Sequence, residues 1–227
     1  MLYLYLEAPF AAFRNFTAGS FRPTADFITY SAAYGLLLNI AGIEMRHESP
    51  ILPMTLIKTE LPRFNLALGA LSFPRNHTIL QQLHNYPVGS TGKEKAYLAK
   101  GTKYNIQPVN RAFLSDIKAY LCLNKNEELE NLVLSGLTGR SPRTYGIPFL
   151  GDNNFLISKL KPVTVLEPVY WYVKITSELE EGLPNGITRL TTKINREDMS
   201  QTKSELFAPS KKCSTTIPDN AWVEVGY

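Results

Sequence analysis

The residues whose types and spacing could do chemistry in this chain are cations interleaved with aromatics. Between Tyr86 and Tyr120, Lys93, Lys95, Lys100, Lys103, Arg111 and Lys118 outnumber Glu94 and Asp116, with Tyr97 and Tyr104 among them. Basic side chains neutralise phosphates and release counterions, and tyrosine faces stack on unpaired bases, so this is a pattern suited to a polyanion. A second group, Arg140, Arg143 and Tyr145, lies in the glycine-bounded segment Gly136–Gly151, where bare backbone amides can approach a phosphate. Each group alone reads equally well as an exposed hairpin or an ordinary loop. Their coincidence in one chain points toward RNA.

Other chemistries find little support. His47, His77 and His84 are the only histidines; Arg46-His47-Glu48 lacks the second histidine of a helical zinc site, and the His77/His84 spacing fits no common ligand pattern. Gly-x-Ser-x-Gly does not occur, and Thr91-Gly92-Lys93-Glu94 ends in the wrong residue for a phosphate-binding P-loop. Glu127-Glu128 and Glu180-Glu181 read as helix-dipole and solubility features. The expectation is a protein with no catalytic residues, no metal and no cofactor.

The chain must position these groups with 227 residues, 44% hydrophobic and 19% charged, which is an ordinary globular balance that excludes wholesale disorder. Net charge is +4. Residues 1–120 hold 12 basic against 7 acidic residues, and residues 121–227 hold 12 against 13, so the basic excess belongs to the first half. That suits one face meeting a polyanion, and equally a solvated lysine-bearing surface. Cys122, in an apolar run, and Cys213, in a polar one, form no metal or redox pair, which predicts a reducing cytoplasm. Met1–Phe10 has no basic n-region and reads as a strand, and the apolar stretch around Ala32–Ile43 is too short to span a bilayer. No membrane partner is expected.

Met1–Leu6 reads as a buried strand, followed by the loop Phe10–Thr29 with Arg14, Arg22, Phe13, Phe16, Phe21 and Phe27. Helical spacing of Tyr30, Tyr34, Leu37, Leu38 and Ala41 predicts a helix over Tyr30–Ile43, capped at Thr29 or Ser31 and stopped by Gly42. Thr55–Lys58 and Phe64–Leu71 look extended, separated by Pro62. Thr78–Leu83 and Ala96–Ile106 flank a turn region at Pro87–Thr91, which predicts a projecting hairpin; Phe113–Leu123 predicts a central strand. Glu127–Leu137 is a second helix, and Phe155–Leu160 a further strand. Val163–Ile175, Gly186–Ile194, Lys203–Phe207 and Ala221–Val225 make an all-β remainder. Without the hairpin the order is βαββαβ, a ferredoxin-like α+β arrangement also used by RNA-binding sheets. The expected organisation is a domain over residues 1–160, with the hairpin at about 75–112, and a C-terminal β subdomain over 161–227.

Leu2–Phe13 with Arg14, the stretch Thr29–Gly42, Tyr97-Leu98 with its hairpin, and Tyr145-Gly146-Ile147-Pro148-Phe149-Leu150-Gly151-Asp152-Asn153 together resemble the CRISPR-associated Cas-five family. These are RAMP subunits of type I Cascade complexes, and the similarity is to the short cyanobacterial and myxobacterial type I-B-like branch. It covers most of Met1–Leu160 and part of Ile187–Pro209.

The resemblance implies a ferredoxin-like (RRM-like) palm, a β-hairpin thumb and a small C-terminal β region. It implies a subunit that caps the Cascade backbone, holds the crRNA 5′ handle, and contacts the neighbouring backbone subunit and the large subunit, meeting target DNA only within the complex. Arg14, Arg22, the helix start at Tyr30 and Ser31, the thumb lysines, and the loop with Arg140, Arg143 and Tyr145 would then touch RNA. A phosphate near Arg14 and Arg22 would also meet the amides and positive dipole end at Thr29–Ser31. One branch of the family cuts pre-crRNA with tyrosine, lysine and histidine. Here Tyr97–Lys103 has no histidine close in sequence, while His77 and His84 lie on the other hairpin arm. The expectation is a non-catalytic RNA-binding subunit, with a metal-independent crRNA-processing endoribonuclease and a protein-only scaffold as alternatives.

Overall fold

A computed structural model of the chain describes residues 1–15, 21–50, 55–84, 106–141, 146–175 and 185–227. The first strand, β1 (Leu2–Ala11), sets the layering by alternation: Leu2, Leu4 and Leu6 are buried while Tyr3 and Tyr5 stay partly exposed on the opposite face. The buried side packs beneath two helices. The first, α1 (Tyr30–Ala41), begins at Thr29, whose hydroxyl accepts from the Ala32 amide at 3.2 Å. It ends at Gly42 in the left-handed region (φ +79°), with the Ile43 amide donating to the Leu38 carbonyl at 2.9 Å. The second, α2 (Glu127–Leu137), is capped by the Asn126 side chain and carries Glu127, Glu128 and Glu130 in its first turn. The helices approach so closely that a Cβ on Gly136 would lie 1.8 Å from the Ile40 carbonyl oxygen.

The remaining strands are β2 (Phe21–Arg22), β3 (Arg46–Glu48), β4 (Thr55–Ile57), β5 (Phe64–Ser72), β6 (Arg75–His84), β7 (Ile106–Asn124), β8 (Phe149–Leu150), β9 (Asp152–Leu156), β10 (Lys159–Val163), β11 (Tyr170–Lys174), β12 (Thr188–Lys193), β13 (Lys203–Pro209) and β14 (Val223–Val225). Among the described residues ten of these form one sheet, ordered β10-β1-β7-β5-β11-β13-β12, with β2 and β6 also paired to β7 and β14 to β5. β3 pairs with β4, and β8 with β9, in two small separate sheets. The fold is α+β: among the described residues, a mostly antiparallel sheet with two α-helices.

Three expectations are revised. The central strand expected over Phe113–Leu123 begins at Ile106 and runs as the 19-residue β7, about 60 Å long, whose first half is also the arm that pairs with β6. Its lower part lies between β1 and β5 and its upper part between β2 and β6; Asp116, at φ +59°, marks the junction. The sequence between Asp152 and Val163 holds two strands, because the Ser158 amide turns to donate to Glu7 O at 2.9 Å between them. The chain also has no sheet boundary at residue 160, which falls inside β10. Both β11 and β14 pair with β5, and Tyr172, Leu190, Phe207, Val223 and Val225 share the core of Leu4 and Leu37. The C-terminal strands extend the first sheet and do not form an appendage. The predicted strand Ala96–Ile106 and the turn at Pro87–Thr91 lie outside the described residues, apart from Ile106 at the start of β7. Among the described residues no helix is long and apolar enough to cross a membrane.

Candidate nucleic-acid interface

Three stretches far apart in sequence meet where β7 leaves the sheet core. β2 lies parallel beside β7, with Phe21 opposite Asn110 and Arg22 opposite Arg111. Register partners leave a sheet on the same side, so the two arginines are neighbours across the strands. Arg14 joins them through a bridge to Thr24, reinforced by the Phe13 amide donating to the Thr24 hydroxyl at 2.9 Å and the Ala25 amide to Phe13 O at 2.9 Å. The third stretch is the glycine-rich segment. Gly151, at φ +79°, lies so close to Ala12 that a Cβ would stand 2.2 Å from its carbonyl oxygen. Only glycine allows that approach, and it brings Asp152 to Arg111.

The charges at this junction are unequal in availability. Arg111 is 13% exposed, donates through Nη2 to the Asp152 carboxylate, and holds its guanidinium carbon 5.5 Å from the centre of the Phe155 ring. Arg14 is exposed and Arg22 half-buried, and among the described residues neither has an ion-pair partner. Among the described residues the two first-loop arginines are therefore unpaired, while Arg111 is largely neutralised. Arg140 is exposed just past α2, its amide donating to Ser135 O at 3.0 Å. Lys93, Lys95, Tyr97, Lys100, Lys103, Arg143 and Tyr145 lie outside the described residues.

The helix start does not join this cluster. The Tyr30 ring is fully buried 4.8 Å from that of Phe207, and its hydroxyl reaches Tyr172 O at 3.3 Å and Ala221 O at 3.4 Å. Burial pushes that phenol far above its usual range, so it stays protonated and donating. Ser31 is 9% exposed with its hydroxyl 3.2 Å from that of Thr29, and Thr29 itself is buried. The Tyr30 ring is closed off by Phe207 and the backbone of Tyr172 and Ala221, and the Ser31 hydroxyl is buried beside that of Thr29, so neither side chain lies on the surface. Of the first-loop phenylalanines, Phe13 and Phe27 are likewise core.

The matching family model bears the description "CRISPR-associated protein (Cas_Cas5)" and covers residues 1–190. The chain belongs to this Cas-five family. Among solved structures, the Cas-five chain is similar to one described as "CRISPR RNA-guided surveillance complex", with TM-score 0.55 and 11% identity over 93% of this chain and 90% of the other. That similarity is one of fold. A second, "Crystal structure of Cas protein", has TM-score 0.42 and 14% identity over 94% of this chain and 95% of the other. No curated protein matches this Cas-five sequence.

One feature of the Cas-five chain had no local sequence signal. Phe10 of β1, His77 of β6, Phe113 of β7 and Phe155 of β9 form a contiguous aromatic group beside Arg111. Phe113 stands 5.6 Å from Phe10, 6.1 Å from Phe155 and 5.3 Å from the His77 ring, which stacks on it. His77 Nε2 is also 2.8 Å from the Ser115 hydroxyl. These residues are separated by dozens of positions, and only strand register assembles them.

Proposed function

We propose that this Cas-five protein is a non-catalytic RNA-binding subunit of a type I Cascade complex, holding the crRNA 5′ handle at the end of the backbone. The observation carrying this reading is the convergence of Arg14 and Arg22, unpaired among the described residues, beside the arm of β7. Arginine forks suit bidentate phosphate contact, and backbone phosphates position a strand whatever its sequence. The similar solved chain described as belonging to an RNA-guided surveillance complex favours the same role.

In this reading β1, β5, β7 and β10 with α1 and α2 are a ferredoxin-like palm. Their sheet order, fourth-first-third-second, and the two helices that fall between the strands in sequence support that description. The pair β6 and β7 is the base of a thumb, whose lysines Lys93, Lys95, Lys100 and Lys103 extend the cationic track. Arg140, Arg143 and Tyr145 add contacts from the glycine-rich loop, and the resemblance of the Tyr145–Asn153 motif favours the type I-B-like branch. The neighbouring backbone and large subunits are its protein partners.

Co-expression with repeat RNA tests the reading. Bound, trimmed RNA that co-purifies with the chain supports it, and RNA-free protein from the same cells overturns it in favour of a scaffold. Neutralising Lys93, Lys95, Lys100 and Lys103 together should weaken retention and lower the salt dependence by about 0.7 per lost phosphate contact. Purified protein incubated with its repeat RNA and a chelator should leave that RNA intact. Specific cleavage abolished by His77→Ala or His84→Ala would instead establish an endoribonuclease.

A further inference from the structure

We infer that the aromatic group at the foot of the hairpin is a stacking platform for unpaired bases of the bound RNA. The inference rests on the reading above and extends it from phosphates to bases. Four strands contribute one ring each, so the surface is held by ladders and not by a loop. Phe10 is 44% exposed although it is a large apolar ring on the chain's first strand. Packing between β1, β7 and β9 accounts for the buried sides of these rings but leaves Phe10 facing solvent.

The surroundings select a nucleic-acid occupant over a protein one. The Arg111 guanidinium lies over Phe155, with Arg22 on the next strand and Arg14 bridged two residues beyond it. The core of a protein–protein interface is depleted of charge, whereas an aromatic surface rimmed by arginines matches a strand with flat bases and an anionic backbone. His77 adds a fourth π-face in the same plane sense as Phe113, at 26° between rings. Exposed Asn153, two residues before Phe155 on β9 and so on the same face of that strand, offers an amide that can meet base edges. The ligand class is single-stranded RNA with splayed bases; a duplex hides its faces and would not stack here.

The test compares binding of the full chain to labelled single-stranded repeat RNA, to the same RNA as a duplex, and to an abasic oligomer of equal length and charge. Wild type should bind the single strand about tenfold more tightly than the abasic oligomer, as expected from stacking one or two bases. Phe10→Leu should erase that preference without changing the salt slope or the melting temperature, Phe10→Ala should erase it with the salt slope unchanged and a lower melting temperature, and Phe10→Trp should keep it. Phe10→Leu retains the packing, so a shared loss identifies stacking and not folding. Equal wild-type affinity for the single strand and the abasic oligomer would overturn the platform while leaving the phosphate reading intact. So would Phe10 variants that keep the preference, or that lose a protein partner in the assembled complex with RNA affinity unchanged. Failure of wild type to bind any of the three probes would overturn both.

Discussion

Asp152 offers a sharper test of the cationic junction than any arginine. Its carboxylate occupies Arg111, while Arg14 and Arg22 have no ion-pair partner among the described residues. Each phosphate contact on a single strand contributes about 0.7 to the slope of log affinity against log salt. Replacing Arg14 and Arg22 together with alanine should therefore lower the slope by about 1.4. Asp152→Asn should raise it by up to about 0.7, because the Arg111 guanidinium becomes available to a phosphate. The pair is largely withdrawn from solvent, at 13% and 25% exposure, so losing its charge costs about 2 kcal/mol, or a melting temperature lower by about 4–8 °C. The assay is fluorescence anisotropy with labelled single-stranded repeat RNA, titrated at salt concentrations from about 50 to 200 mM, with thermal denaturation of each variant. An Asp152→Asn protein that melts lower but binds with an unchanged or shallower slope would refute the idea that Arg111 is a masked phosphate ligand. An unchanged slope in the double arginine variant, with a lower melting temperature, would make Arg14 and Arg22 structural and remove them from the site.

Tyr30→Phe should lower stability by about 1 kcal/mol through loss of the shared hydrogen bond to Tyr172 and Ala221, while RNA retention stays at the wild-type level; reduced retention at full stability would return Tyr30 to the interface. Gly136→Ala should cost at least about 3 kcal/mol, read as a melting temperature lower by about 6 °C or more, since its Cβ would collide with backbone rather than a movable side chain. In native protein at pH 8, a thiol reagent should modify Cys213, which is exposed. Cys122 should react only after unfolding, because burial raises its pKa and keeps it a neutral thiol; two equally fast thiols would contradict its placement.

Features determined by short-range chemistry were legible directly from the residues. The helix Glu127–Leu137 follows from its apolar stripe and first-turn acids, and Tyr30–Ala41 from its period, the Thr29 cap and the Gly42 stop. The strands Phe64–Ser72 and Lys203–Pro209 follow from their composition, within a residue or two of their ends. The matched family likewise spans the segments whose motifs suggested it. Partnership between distant segments was not legible, because a strand's pattern says which face is buried but not which strand lies beside it. Pairing of β11 and β14 with β5 joins the C-terminal strands to the first sheet and closes the core over Tyr30. Nothing near Tyr30 in sequence distinguishes an exposed first-turn tyrosine from one covered by residues 172, 207 and 221. The same holds for charge: Arg14, Arg22 and Arg111 are equal cations in the sequence, and only the close approach of Gly151 to Ala12 brings the acid that neutralises one, while the other two have no such partner among the described residues.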